Sequence, residues 1–146
     1  MIPMFKAHEF HDMSMISKVL SSGMLGEGPM VQNFREQLQG LFDHQYVVPL
    51  NSCTSSLILA LRLLGILPGD EVISTPFTMI ATNSAISSLG AQIVWCDIDP
   101  KTFCADMDSV IDKITPLTRA VVLTCVGGII PRPGCKIMLV LRGSMQ

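Results

Sequence analysis

Residues 69–99 read GDEVISTPFTMIATNSAISSLGAQIVWCDID, and this stretch decides the fold. Residues 71–75 form a short apolar run rich in β-branched side chains, which suits a strand. Pro76 breaks it. From 78 to 89 the apolar residues Ala81, Ala85, Ile86 and Leu89 fall at helical spacing on one face, and Gly90 stops the pattern. Residues 93–98 then give a second strand. Two strands joined by a crossover of this length pair in parallel, because a tight turn joins only antiparallel neighbours.

The same rhythm continues on both sides. Upstream, residues 46–50 read as a strand, followed by the polar loop Asn51-Ser52-Cys53-Thr54. Leu57, Ala60, Leu61 and Leu64 then mark the buried face of a helix. Gly65 stands where a left-handed C-cap belongs, and Pro68-Gly69-Asp70 makes the next turn. Downstream, Asp99-Pro100 turns the chain and Asp106 caps a helix with Met107, Val110, Ile111 and Ile114 facing inward. The run 120–126 is nearly all apolar, as for a strand buried on both faces. Repeated units of this kind predict an α/β fold, a mainly parallel sheet flanked by helices. Two helices precede it, over 12–22 and from Pro29 onward, with Val31, Phe34, Leu38 and Leu41 on one face of the second. Residues 128–146 break the rhythm. A strand over 137–141 follows a Pro-Arg-Pro-Gly turn with no helix between, so it has no parallel crossover.

With 146 residues, 49% of them hydrophobic and 15% charged, the chain has ample apolar content for a core. Its net charge is −2 and it lacks a basic run, which excludes a nucleic-acid surface built on phosphate neutralisation. No apolar stretch approaches the roughly 20 residues of a membrane span. Lys6, His8, Glu9, His11 and Asp12 stand where a secretory signal needs apolar residues, so a cytoplasmic location is expected. Five cysteines, odd in number and without C-x-x-C spacing, suggest buried free thiols rather than disulfides or a zinc site.

Chemistry concentrates at Asn51-Ser52-Cys53-Thr54-Ser55-Ser56, between a strand and a helix. A helix N-terminus offers unpaired amides and about half a positive charge, which attract a phosphate. Ser and Thr are also favoured as N-caps whatever the function. The residues alone therefore leave capping and phosphate binding both open. No P-loop lysine and no G-x-G-x-x-G motif supports nucleotide binding.

Five elements in fixed order resemble one family. They are the Ser52-Cys53-Thr54 loop, GDEVI, the PFT-x-x-AT segment, the D-I-D-P turn and the T-x-A-V strand, preceded by SSGMLGEGPMVQNFREQL. Together they are similar to the DegT/DnrJ/EryC1/StrS family of pyridoxal-phosphate-dependent sugar aminotransferases, over roughly residues 1–127. The resemblance implies the amino-terminal part of a fold-type I large domain. It further implies pyridoxal phosphate as cofactor, a nucleotide-linked keto-sugar substrate with an amino donor, and a homodimer in the complete enzyme.

Residue by residue, Ser52, Cys53 and Thr54 match the loop that holds the cofactor phosphate, Cys53 standing where glycine is common. Met79 matches a position often filled by an aromatic that stacks on the pyridine ring. A thioether can cover a ring, and the residue reads equally well as core. Gly26, Glu27 and Gly28 resemble a loop near the substrate or the neighbouring subunit, and read equally well as a plain turn leading into the helix. The family's ring-nitrogen carboxylate and Schiff-base lysine lie beyond the T-x-A-V strand. Lys6, Lys18, Lys101 and Lys113 fall in segments matching non-catalytic parts, and Lys136 lacks the family's lysine context. No catalytic residue and no metal ligand is therefore assigned. The expectation is a truncated aminotransferase, inactive alone. The alternatives are a relative with another pyridoxal reaction, such as sugar dehydration, or a non-catalytic interaction fragment.

Overall fold

The computed structural model describes residues 13–131, in two units that divide between Pro49 and Leu50. The first unit holds two helices. Helix α1 (Ser14–Ser22) closes on Gly23 in the left-handed conformation. Helix α2 (Pro29–Phe42) begins with proline at its first position, as the sequence predicts, since the missing N–H has no helical acceptor there. The expected inward stripe of α2 is only half realised: Val31 and Leu38 are half-buried, whereas Phe34 and Leu41 are exposed. The strand expected over 46–50 is absent. Tyr46 and Val48 are exposed, and no strand pairs with this segment among the described residues.

The second unit is the α/β body. Helix α3 (Cys53–Leu63) leads into β1 (Glu71–Ser74), then α4 (Ile80–Ser87), β2 (Gln92–Trp95), α5 (Met107–Asp112) and β3 (Thr118–Val121). The three strands form a parallel sheet in the order β2-β1-β3, as the sequence reading expects. Period-two alternation divides their side chains between two faces. Val72 and Ala120 pack with Leu61, Ile66, Ala85 and Ile86 of the α3–α4 side. Ile73 packs on the other face with Cys96, Ala105 and Val110, the last from α5. The chain thus steps from β1 to β2 under one layer of helix. It returns across β1 to β3 under the other, as a sheet wound in both directions requires.

The turn after α3 shows why this order is stable. Gly65 N–H bonds the Arg62 carbonyl and Ile66 N–H bonds the Leu61 carbonyl, with Gly65 left-handed at φ 73°. This is a Schellman closure, and its hydrophobic contact is present, since Ile66 and Leu61 are both buried in one cluster. Gly69 N–H then reaches the Gly90 carbonyl at 3.2 Å, tying the end of α3 to the end of α4. Gly90 has φ 72°, and a Cβ there would lie 3.2 Å from the Pro68 ring, so glycine is favoured by the backbone and by the close approach of Pro68.

Some expected boundaries shift. Helix α5 is six residues long, so Val110 is buried and Met107 half-buried, while Ile111 is 59% exposed. In α3, Ala60 is exposed and Ile58 takes its place against the core. The strand expected over 120–126 is β3, which begins at Thr118 and ends at Val121. As the sheet's edge among the described residues it leaves Val121 and Val122 only half-buried. The expected strand 137–141 lies outside the described residues.

Candidate functional site

Helices α3 and α4 pack side by side, and their C-terminal ends meet at the Gly69–Gly90 hydrogen bond. Helix α4 starts just beyond the carboxyl end of β1, so α3 starts at that same edge of the sheet. Parallel strands also bring the ends of β2 and β3 there. Residues 51–54, 75–79 and 124–128 therefore lie along one edge. Ligands of open α/β sheets bind outside this carboxyl edge.

Ser52, Cys53 and Thr54 divide the work at the start of α3. Ser52 is extended (φ −158°, ψ 154°), and its Oγ accepts from the Ser55 amide at 3.1 Å. Ser52 and Ser55 also share a hydroxyl–hydroxyl bond of 2.9 Å. The Ser52 carbonyl accepts from the Ser56 amide and from its Oγ, each at 3.1 Å. Ser52 is thus a working N-cap. The amides of Cys53 and Thr54 and the Thr54 hydroxyl have no partner among the described residues. No acidic residue sits in the first turn to compete for them. A dianionic phosphate suits these donors, because aligned amides and the positive end of the helix dipole both favour negative charge.

Beside this turn, residues 75–79 are held from three directions. Asn83 of α4 accepts from Ser74 Oγ at 2.8 Å and donates Nδ2–H to the Thr75 carbonyl at 3.1 Å. Thr78 Oγ1 lies 3.0 Å from Thr82 Oγ1 and 2.8 Å from Thr124 Oγ1, which joins the loop to the segment after β3. The Phe77 ring lies 5.5 Å from that of Phe103. Met79 is the N-cap of α4, makes no side-chain cap bond and is 66% exposed. Its thioether is free to cover an apolar ring face.

Sequence reasoning did not single out Ser74, Thr75, Asn83 or Thr124. The available signal is an asparagine inside a helix, which normally needs a side-chain partner to be worth its place. Asp99 and Asp106 play local roles, accepting from the amides of Lys101 and Asp108. The described lysines, Lys18, Lys101 and Lys113, are all exposed. Cys96 at the end of β2 is buried, and burial, with Asp97 and Asp106 nearby, raises its thiol pKa above the ordinary range.

A doubly wound sheet with a helix N-terminus and a braced polar loop at its carboxyl edge has the donors and placement that suit a phosphorylated ligand. The chain belongs to the DegT/DnrJ/EryC1/StrS aminotransferase family, which it matches over residues 7–131. It is 41% identical over 113 residues to the spore coat polysaccharide biosynthesis protein SpsC of Bacillus subtilis, covering 77% of this chain and 29% of that one. It is 37% identical to the dTDP-4-dehydro-2,3,6-trideoxy-D-glucose 4-aminotransferase of Saccharopolyspora spinosa, covering 80% and 31% of the two chains. The crystal structure of NtdA from Bacillus subtilis with bound cofactor PMP superposes with a TM-score of 0.71 at 33% identity, covering 74% of this chain and 25% of that one. The chain thus spans about three-tenths of the length of the two sequence relatives. Its fold is part of a fold-type I aminotransferase domain, as the resemblance implies.

Proposed function

We propose that this chain contributes the phosphate-holding edge of a pyridoxal-phosphate-dependent aminotransferase acting on nucleotide-linked keto-sugars. The observation that carries the reading is the first turn of α3, where two free amides and the Thr54 hydroxyl face the carboxyl edge of the sheet. The cofactor, when bound, supplies an electron sink for moving an amino group. This chain's residues bind and orient it. Ser52 holds the turn in shape by capping, Cys53 and Thr54 donate to the phosphate, and Met79 covers the ring. The family and the Saccharopolyspora relative, a dTDP-4-dehydro-2,3,6-trideoxy-D-glucose 4-aminotransferase, support a nucleotide-sugar substrate with a separate amino donor.

The lysine of the reaction is none of Lys18, Lys101 and Lys113, which are exposed and lie outside the braced loops of this edge. With Lys6 and Lys136 outside the described residues, we take the chain alone to be inactive in transamination. A second subunit in the complete enzyme is part of the same reading and rests on the family resemblance. Among the described residues no helix is long and apolar enough to cross a membrane. We place the chain in the cytoplasm, where exposed thiols such as Cys53 and Cys125 stay reduced.

The test is a fluorescence titration of the full chain with pyridoxamine 5′-phosphate, with inorganic phosphate as competitor. Saturable binding that phosphate displaces is expected, weakened on the order of tenfold by Thr54→Val, which deletes one charge-assisted hydrogen bond. Binding indifferent to both phosphate and Thr54→Val rejects the site. Borohydride treatment with pyridoxal phosphate should label no single lysine; a specific adduct would overturn the claim of inactivity.

A further inference from the structure

Asparagine is a poor choice for a helix interior, yet Asn83 sits within α4. Both ends of its amide are used. Oδ1 accepts from Ser74 Oγ at 2.8 Å, and Nδ2 donates to the Thr75 carbonyl at 3.1 Å. A carbonyl can only accept, so the second bond fixes which way the amide points. Ser74 and Thr75 are 1% and 2% exposed, so neither can turn to water for a substitute partner. Met79 is the N-cap of α4, four residues before Asn83, so the loop that Asn83 anchors at Thr75 ends directly on it. The amide thus locks the start of the 75–79 loop, while Thr78 locks its end through Thr82 and Thr124.

We propose that Asn83 is a positioning residue for the cofactor: its side-chain amide sets where the 75–79 loop presents Met79 to the pyridine ring. The inference rests on the pyridoxal-phosphate reading above and goes beyond the phosphate turn. Asn83→Asp is the informative change. It keeps the size of the side chain and the acceptor for Ser74. It also sets a carboxylate oxygen against the Thr75 carbonyl, so the loop must move away.

The experiment measures affinity for pyridoxamine 5′-phosphate and the circular dichroism induced in its absorption band, with the thermal midpoint recorded alongside. Asn83→Asp is expected to weaken binding on the order of tenfold and to reduce or invert the induced signal. A double-mutant cycle with Met79→Ala separates positioning from general destabilisation. If Asn83 acts through Met79, the double variant binds no more weakly than Met79→Ala alone. Fully additive losses, or an unchanged induced signal in Asn83→Asp, overturn the inference. Wild-type binding with an equally tight Asn83→Asp overturns it while leaving the cofactor reading intact. Failure of the wild-type chain to bind sinks both. Should Asn83→Asp not fold, Ser74→Ala removes the hydroxyl at the Oδ1 end and is expected to weaken binding about threefold; unchanged affinity there is equally decisive against the inference.

Discussion

Cys53→Pro separates the phosphate turn from the helix it begins. Cys53 is the first residue of α3, where proline is well tolerated, and its amide has no helical acceptor. Ser52, the residue before it, is already extended at φ −158° and ψ 154°, the conformation that a following proline demands. The substitution therefore deletes one N–H donor and leaves the cap geometry in place. Stability without ligand should change by less than about 1 kcal/mol. A hydrogen bond to a charged group contributes about 1.5–3 kcal/mol, so Kd should rise roughly tenfold to 150-fold.

Urea denaturation with and without pyridoxamine 5′-phosphate reads both effects at once. At a ligand concentration about 100 times the wild-type Kd, binding stabilises the wild type by about 2.7 kcal/mol. A roughly 30-fold weaker variant at the same concentration gains only about 0.9 kcal/mol. Ser52→Ala should show the reverse pattern. It loses the cap bond to Ser55 and about 1 kcal/mol of stability, close to 4–8 °C in Tm for a unit of this size, while keeping both phosphate amides and so losing less affinity than Cys53→Pro. Equal ligand stabilisation of Cys53→Pro and wild type would refute the assignment of the Cys53 amide to the phosphate.

Three further outcomes follow from the second unit. Asp70 is 7% exposed, its Oδ2 accepts from the Leu67 amide at 2.8 Å, and Arg119 Nε lies 3.5 Å away as an ion pair without a hydrogen bond. Asp70→Ala should therefore lose about 1–3 kcal/mol in urea denaturation and Asp70→Asn clearly less; equal losses would show that the charge, not the turn bond, matters. Thiol labelling mapped by mass spectrometry should modify Cys53 and Cys125 in the native chain and Cys96 and Cys104 only after unfolding. Because burial holds the folded Cys96 thiol above its ordinary pKa of 9.0, the folded state keeps the proton that the unfolded state gives up. Its contribution to stability is full below that pH and lost above it, so Cys96→Ala should flatten the alkaline fall in stability.

The βαβ core was legible because its signals are local and agree with one another. The stripe Ala81, Ala85, Ile86 and Leu89 matches the buried face of α4, and Gly65, Gly90 and Asp106 act as the sequence predicts. The phosphate turn was legible only in outline. Sequence identifies Ser52 as a cap but cannot say which amides the cap leaves free. The failures share one cause, which is that pairing and burial depend on distant segments. Residues 46–50 have strand composition but meet no neighbour to pair with among the described residues. The run 120–126 has core composition, yet among the described residues β3 has a strand on one side only. Asn83 bonds Ser74 and Thr75, nine and eight positions away, across a strand end that no helical or strand period encodes.

The Gly69–Gly90 junction and the Schellman closure are built from backbone atoms, whereas the opposite edge is braced by hydroxyls and one amide. The bonds at the second edge run through side chains, so substitutions there act on that edge and leave the backbone bonds of the first in place. The unit therefore works as a bracket whose lip is tuned by side chains: exposed positions such as Met79 can change what the lip grips, while a side chain at Gly90 strains the backbone and crowds Pro68 at the far end.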